Sequence, residues 1–153
     1  GFGTPSTKCE LNPPHVDYEP PAESRLGDAN LRRRYPLELI SPKNDDSMNS
    51  TFGNREDRDA ETATVYLHPD DASARLVSEG DLVRVYNARG SVRLRAAISA
   101  TVRSGVVCSP SSRWPKRSMD RRNINALTSE RLTDIGGSPA FYSCLVQVER
   151  CGD

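Results

Sequence analysis

The 153-residue sequence contains no apolar run approaching the roughly 20 residues that a membrane-spanning helix requires. It has no excess of either charge, with 21 Lys and Arg against 21 Asp and Glu, so bulk electrostatic attachment to nucleic acid or to a membrane surface is not expected. Histidine is scarce, at His15 and His68 only, and the four cysteines show no Cys-x-x-Cys spacing. Together these absences argue against a zinc or iron–sulfur site within the chain. Cys9, Cys108, Cys144 and Cys151 are also too few for a disulfide scaffold; reduced thiols fit a cytoplasmic protein, with a periplasmic one left open. The first residues, Gly1-Phe2-Gly3-Thr4-Pro5, lack both the basic region and the apolar core of a signal peptide, and no initiator Met is present. The chain is therefore expected to be a piece of a longer protein.

Residues 1–35 hold Pro5, Pro13, Pro14, Pro20 and Pro21 and close on Arg32-Arg33-Arg34. With little periodicity, they read as an extended tether from a preceding domain. No P-x-x-P spacing supports an SH3-type ligand there. Residues 36–150 carry strand signals at 36–40, 64–67, 82–86, 92–98, 105–108 and 141–149. The clearest alternates Val92, Leu94, Ala96 and Ile98 with polar or small residues. In the last, Tyr142, Cys144, Val146 and Val148 share one face, which makes Cys144 a buried thiol. Asn87-Ala88-Arg89-Gly90 reads as a hairpin turn. His68-Pro69-Asp70-Asp71 signals the start of a short helix, with His68 as a cap rather than a metal ligand, and a further helical turn is expected near 123–127. Six or seven short strands with few helices point to a small closed barrel or a sandwich.

Two long connections, 41–62 and 109–140, exceed the length usual for loops without function in a compact domain. Their surroundings differ in sign: 54–81 carries eight acids against three bases, whereas 113–122 carries five bases against one acid. The basic loop lacks the interleaved aromatics of a nucleic-acid surface, and Lys116, Arg117, Arg121 and Arg122 read as solvated or facing other domains. Asn49-Ser50-Thr51 spells a glycosylation sequon, a pattern that chance supplies often.

The order of the pieces carries more than any one of them. Tyr35-Pro-Leu-Glu-Leu-Ile-Ser-Pro-Lys43 is followed by Asn49-Ser-Thr-Phe-Gly-Asn54, His68-Pro-Asp-Asp-Ala72, Gly80-Asp-Leu-Val-Arg-Val85 and Asn87-Ala-Arg-Gly90. Then come Gly105-Val-Val107, Trp114, Asn125-Ala-Leu-Thr128 and Asp134 with Gly136-Gly137. In this order the chain resembles the C-terminal molybdopterin-dinucleotide-binding domain of the dimethyl sulfoxide reductase family, the molybdenum or tungsten oxidoreductases that carry two molybdopterin guanine dinucleotides (bis-MGD). The lead-in Thr4-Pro5-Ser6-Thr7-Lys8-Cys9-Glu10 resembles the same family's tether, with Thr7 where Gly is usual. The resemblance implies a six-stranded double-psi β-barrel, mainly β with a few short helices and an extended N-terminal tether.

It also implies a function: this domain binds and orients the dinucleotide, while redox chemistry resides in the cofactor and in other domains of the same polypeptide. On this reading the fragment alone is inactive. The cofactor expected is bis-MGD with Mo or W, with a 4Fe-4S cluster possible in a preceding part. The partners expected are the remaining domains and, through the full enzyme, a small-molecule redox substrate, with neither nucleic acid nor membrane. The alternative is a non-catalytic double-psi barrel that binds protein partners, since fold alone does not decide function.

The residue types suit the cofactor's parts. Ser41, Lys43, Asn49, Ser50 and Thr51 offer hydroxyls, an ammonium and an amide for a dinucleotide, or else ordinary Asx and ST turns. Arg113 suits phosphate or a pterin carbonyl, although relatives in the family often have Gly or His there. Trp114 offers a face and one N–H beside a pterin, or packs on the barrel. Asn125, with Thr128, matches the family piece that approaches a pterin; its amide suits the paired donor and acceptor of the pyrimidinone edge, or caps a helix. Asp134 accepts from guanine or caps the turn before Gly136.

Overall fold

A computed structural model describes residues 1–11, 18–43, 48–111, 113–133 and 136–152. Six strands, β1 (Leu37–Ile40), β2 (Thr64–Leu67), β3 (Leu82–Tyr86), β4 (Ser91–Ile98), β5 (Val106–Cys108) and β6 (Leu145–Arg150), close into a barrel in the order β1-β5-β2-β4-β3-β6. Closure leaves no open edge for another chain to pair with. Two pairs are parallel: β1 with β5, in register at Leu39 and Val107, and β2 with β4, at Val65 and Ala96. The remaining four are antiparallel, including the hairpin that opposes Val83 to Leu94 and Val85 to Val92. This is the expected six-stranded double-psi barrel.

Alternation along each strand places one set of side chains inside. Leu37, Leu39, Val65, Leu67, Val83, Val85, Val107, Val146 and Val148 are sealed in the interior, and the alternating residues Val92, Leu94 and Ala96 join them from the longest strand. Ile124, Leu127 and Cys144 extend this core at one end.

Among the described residues three short α-helices decorate the barrel: α1 (Ala29–Arg34), α2 (Asp59–Thr62) and α3 (Pro69–Ser73). His68 caps α3, its Nδ1 accepting from the Asp70 N–H at 3.2 Å, and Pro69 occupies the first turn. The tether is thus not extended throughout. Asp28 accepts from the N–H groups of Asn30 and Leu31 and starts α1, whose last turn holds three arginines that suit the negative end of the helix dipole. Glu38 on β1 holds Arg25 by a forked ion pair, and Tyr35 is buried edge-on against Tyr86 at 6.3 Å.

One expectation needs correction at its boundary. The last strand begins at Leu145, not at 141, because the ladder to β1 ends with the Glu38–Leu145 pair and Ser143 donates back to the Ala140 carbonyl in a turn. Phe141 and Tyr142 therefore leave the barrel wall and stand exposed.

The strand directions decide where the loops go. β1 and β5 end at the same end of the barrel, where β2, β4 and β6 begin and where the 87–90 hairpin turns. Both long connections consequently emerge side by side at that end.

Candidate functional site

The paired exit of β1 and β5 is the foundation of the site. Their backbone pairing continues past the strands: the Ser109 N–H donates to the Ile40 carbonyl at 3.0 Å and the Ser111 N–H to the Pro42 carbonyl at 2.9 Å. Ser41 and Lys43 are thereby held against the start of the second loop. Farther on, the turn 48–51 closes through the Thr51 N–H on the Met48 carbonyl, with Asn49 in the left-handed region at φ 55°, a conformation Asn tolerates well. Trp114 then joins the two loops, its indole N–H donating to the Ser50 carbonyl at 2.6 Å. Lys116 lies over its ring, 5.0 Å from the centroid.

Beneath this lies an ion-pair brace. Arg117 forks onto the Asp59 carboxylate at 2.6–3.0 Å, and its guanidinium holds that carboxyl below the ordinary value of 3.8. Arg113 turns inward as well. It donates to the Asp59 carbonyl at 2.8 Å, to Thr62 Oγ1 at 3.2 Å, to Ser118 Oγ at 3.0 Å and to the Arg117 carbonyl. The expectation of a solvated basic loop fails for Arg117, whose side chain is only 19% exposed. The acidic segment before β2 neutralises it.

The opposite wall is the turn 123–128. Asn123 caps it, Oδ1 accepting from the Asn125 N–H at 3.1 Å while Nδ2 donates to the Arg113 carbonyl at 3.2 Å. Ile124 and Leu127 point into the core, so Asn125 between them points out. The capping role open to Asn125 in the sequence thus belongs to Asn123. Among the described residues the Asn125 amide has no side-chain partner, and Thr128 Oγ1 donates to the Asn125 carbonyl at 3.1 Å.

These walls enclose a groove of about 1060 Å³. Of the residues expected from the sequence, Ser41, Lys43, Asn49, Ser50, Arg113, Trp114, Asn125 and Thr128 all line it. Thr51 stands in the same turn but outside the lining, and Asp134 lies outside the described residues. Sequence reasoning missed Asn123 and an apolar rim of Leu132, Pro139, Phe141 and Tyr142. The Phe141 and Tyr142 rings lie 4.4 Å apart at a tilt of 42°, and their adjacency offered a signal, though their alternation had placed them on a strand. The groove combines aromatic faces, amides, hydroxyls, one ammonium and, at Glu130, one carboxylate; all but the last suit a planar heterocycle joined to an anionic linker.

A family model described as Molydopterin dinucleotide binding domain matches residues 37–145. The probable oxidoreductase YoaE of Bacillus subtilis is 32% identical over 150 residues, covering 96% of this chain and 22% of that protein. The dimethyl sulfoxide reductase DmsA of Haemophilus influenzae is 33% identical over 125 residues, covering 78% of this chain and 16% of that protein. The chain thus spans about a fifth of the length of the curated relatives it matches. Among solved structures, acetylene hydratase from Pelobacter acetylenicus superposes with a TM-score of 0.73 at 22% identity, over 88% of this chain and 21% of that one. At that identity the likeness shows the fold alone.

Proposed function

This chain belongs to the molydopterin dinucleotide binding family, and from that premise we propose that the groove between the 41–51 and 109–128 loops holds a molybdopterin guanine dinucleotide as one wall of the cofactor site of a larger oxidoreductase. The observation that carries the assignment is the convergence of eight sequence-nominated residues, from two loops more than 60 positions apart, on one groove at the parallel β1/β5 end.

The residues fit such a group. Asn125 presents a side-chain amide that has no partner among the described residues, with donor and acceptor side by side, to a pterin edge. Lys43 and the hydroxyls of Ser41, Ser50 and Thr128 suit pyrophosphate, and Trp114 with Tyr142 offers faces for a ring system. Arg113 contributes through the loop it braces rather than as a free guanidinium. When bound in the whole enzyme, the cofactor would supply two-electron redox chemistry at molybdenum or tungsten, and this domain binds and orients it. The remaining domains of the polypeptide complete the site, with a second dinucleotide, a small-molecule redox substrate and any 4Fe-4S cluster belonging to them. No helix among the described residues is long and apolar enough to cross a membrane. Four free thiols fit a reducing, cytoplasmic setting, with a periplasmic one as the alternative.

The test uses the full polypeptide that contains this segment. Acid hydrolysis should release two GMP per molybdenum or tungsten atom. Asn125→Ala removes two hydrogen bonds worth about 1 kcal/mol each, so dinucleotide affinity should fall about 30-fold with the barrel still folded. Unchanged retention in that variant removes Asn125 from the site, and absence of both GMP and metal rejects the cofactor reading.

A further inference from the structure

The hairpin 87–90 does more than reverse the chain. Asn87 is buried, and its Nδ2 donates to the Leu127 carbonyl at 2.8 Å and to the Leu145 carbonyl at 3.2 Å. Arg89 reaches the same Leu127 carbonyl from Nε at 2.9 Å and from Nη2 at 2.6 Å. The Cys144 thiol donates to it as well, at 3.1 Å. One backbone oxygen therefore receives three side chains from two separate elements. Its peptide group links Leu127 to Thr128, so fixing that oxygen fixes the plane from which Thr128 departs and the turn that carries Asn125. Gly90 allows this approach: a Cβ there would stand 3.0 Å from the Ala126 carbonyl oxygen.

Arg89 is itself aimed by the tether. Glu23, only 7% exposed, forks onto it with Oε1 at 2.5 Å from Nη1 and Oε2 at 2.7 Å from Nη2, and Oε2 also accepts from the Leu145 N–H at 3.2 Å. The carboxylate thus joins three pieces of chain distant in sequence: the lead-in, the hairpin and the start of β6. A bidentate pair this well enclosed sets direction as well as attraction. Gly27 shapes the turn that presents it, since a Cβ there would collide with the Pro21 and Ala22 carbonyls.

From this we infer that Arg89, oriented by Glu23, is a positioning residue of the dinucleotide site: it clamps the Leu127 carbonyl and thereby holds Asn125 and Thr128 toward the groove. The inference rests on the cofactor reading of that groove. It extends the working unit back into the lead-in segment, because a barrel cut at residue 36 lacks the carboxylate that aims the clamp.

The experiment follows loss of the resident dinucleotide from the intact parent enzyme at 25 °C, by desalting at intervals and quantifying GMP released by acid from the protein that remains. Circular dichroism confirms that each variant is folded at that temperature. Asn125→Ala should release about 30-fold faster and Arg89→Gln about tenfold faster. If Arg89 acts through Asn125 and Thr128, the double variant should release faster than Asn125→Ala by no more than the remaining Thr128 share, well short of the roughly 300-fold product expected of independent sites. A general structural weakening has no reason to show that coupling. Glu23→Gln, nearly isosteric, should release about threefold faster and couple to Asn125→Ala in the same way; it decides the matter if Arg89→Gln does not fold. A multiplicative double variant, or wild-type release in both Arg89→Gln and Glu23→Gln with Asn125→Ala fast, overturns the clamp alone. Wild-type release in Asn125→Ala overturns the site reading, and the clamp with it.

Discussion

Cys144 provides a direct test of how tightly the groove end of the barrel is closed. Its side chain lies in a pocket formed by the hairpin and the 123–128 turn, and the residue is 1% exposed. Burial pushes the thiol up from its ordinary value of 9.0 to about 11, outweighing the opposing pull of the Arg89 guanidinium. Only the thiolate attacks an alkylating reagent. At pH 8 a thiol with the higher value is about 100-fold poorer in thiolate than an unperturbed one, and the reagent must in addition gain access. Iodoacetamide labelling of the native full polypeptide, resolved peptide by peptide by mass spectrometry, should therefore modify Cys144 at least about 100-fold more slowly than a free cysteine peptide in the same tube. Cys9, which is exposed, serves as the accessible control. Glu23→Ala releases the cover and should raise the Cys144 rate about tenfold without altering that of Cys9. Alkaline stability gives a second reading. Because the folded thiol stays neutral while an unfolded one ionises, the stabilisation is complete below pH 9 and is lost as pH rises to about 11. It amounts to about 3 kcal/mol at most, and Cys144→Ser should flatten that part of the profile. Labelling within about threefold of the free peptide would refute the buried-thiol argument.

Two other perturbations probe the parts that hold the groove together. Gly90→Ala brings a Cβ to 3.0 Å from the Ala126 carbonyl oxygen, with backbone on both sides of the contact and little room to relax. It should cost about 1–2 kcal/mol and lower the melting transition of the polypeptide by a few degrees; an unchanged transition would show that the hairpin and the turn are free to separate. Asp59, held below its ordinary value of 3.8 by hydrogen bonding to Arg117, contributes stability that is present above about pH 4 and fades as pH falls through its depressed folded value. Asp59→Asn should lower stability at neutral pH and make the acid limb between pH 2 and 5 less steep, which thermal melts across that range will report. A parallel shift of the whole acid limb would mean that the arginines find other partners.

The strands were legible because a closed barrel repeats the simplest pattern a sequence has. Val92, Leu94 and Ala96 alternate in the sequence and lie buried in the structure for one reason, the two-residue period of the pleat. The same pattern misled at 141–144, where Tyr142 and Cys144 continue the alternation beyond the last ladder partner. Periodicity reports which faces are apolar and does not report where pairing stops. The proline-rich lead-in concealed a different kind of structure. Asp28 before Ala29, with three arginines in the following turn, is a readable helix signal. Glu23 had none, because its partner Arg89 lies 66 positions away and only the folded barrel brings them together. Thr7 shows the reverse case. Its backbone adopts φ 58°, the left-handed region that glycine enters freely and that strains a β-branched residue.

For the site, local chemistry nominated residues that topology then had to assemble. Nothing in 41–51 states that it faces 109–128; the parallel β1/β5 pair decides this, by sending both chains out of the same end. What local reading mistook was Arg117, since Lys116, Arg121 and Arg122 stand exposed as expected. Five bases within 113–122 suggest an exposed cationic loop, and the zero net charge of the chain does not correct the impression. In the structure Arg113 and Arg117 are both spent on the α2 segment, with Asp59 accepting from each. Arg122 reaches back to the Ser91 carbonyl, and Lys116 lies over Trp114. Among the described residues the groove lining holds two cations, Lys43 and the inward-bound Arg113, and one acid, Glu130. The groove lining is accordingly made chiefly of amides, hydroxyls and ring faces, with ion pairs beneath them. The basic loop serves as a brace: Lys116 lies over the Trp114 ring, and the Arg113 carbonyl accepts from the Asn123 amide.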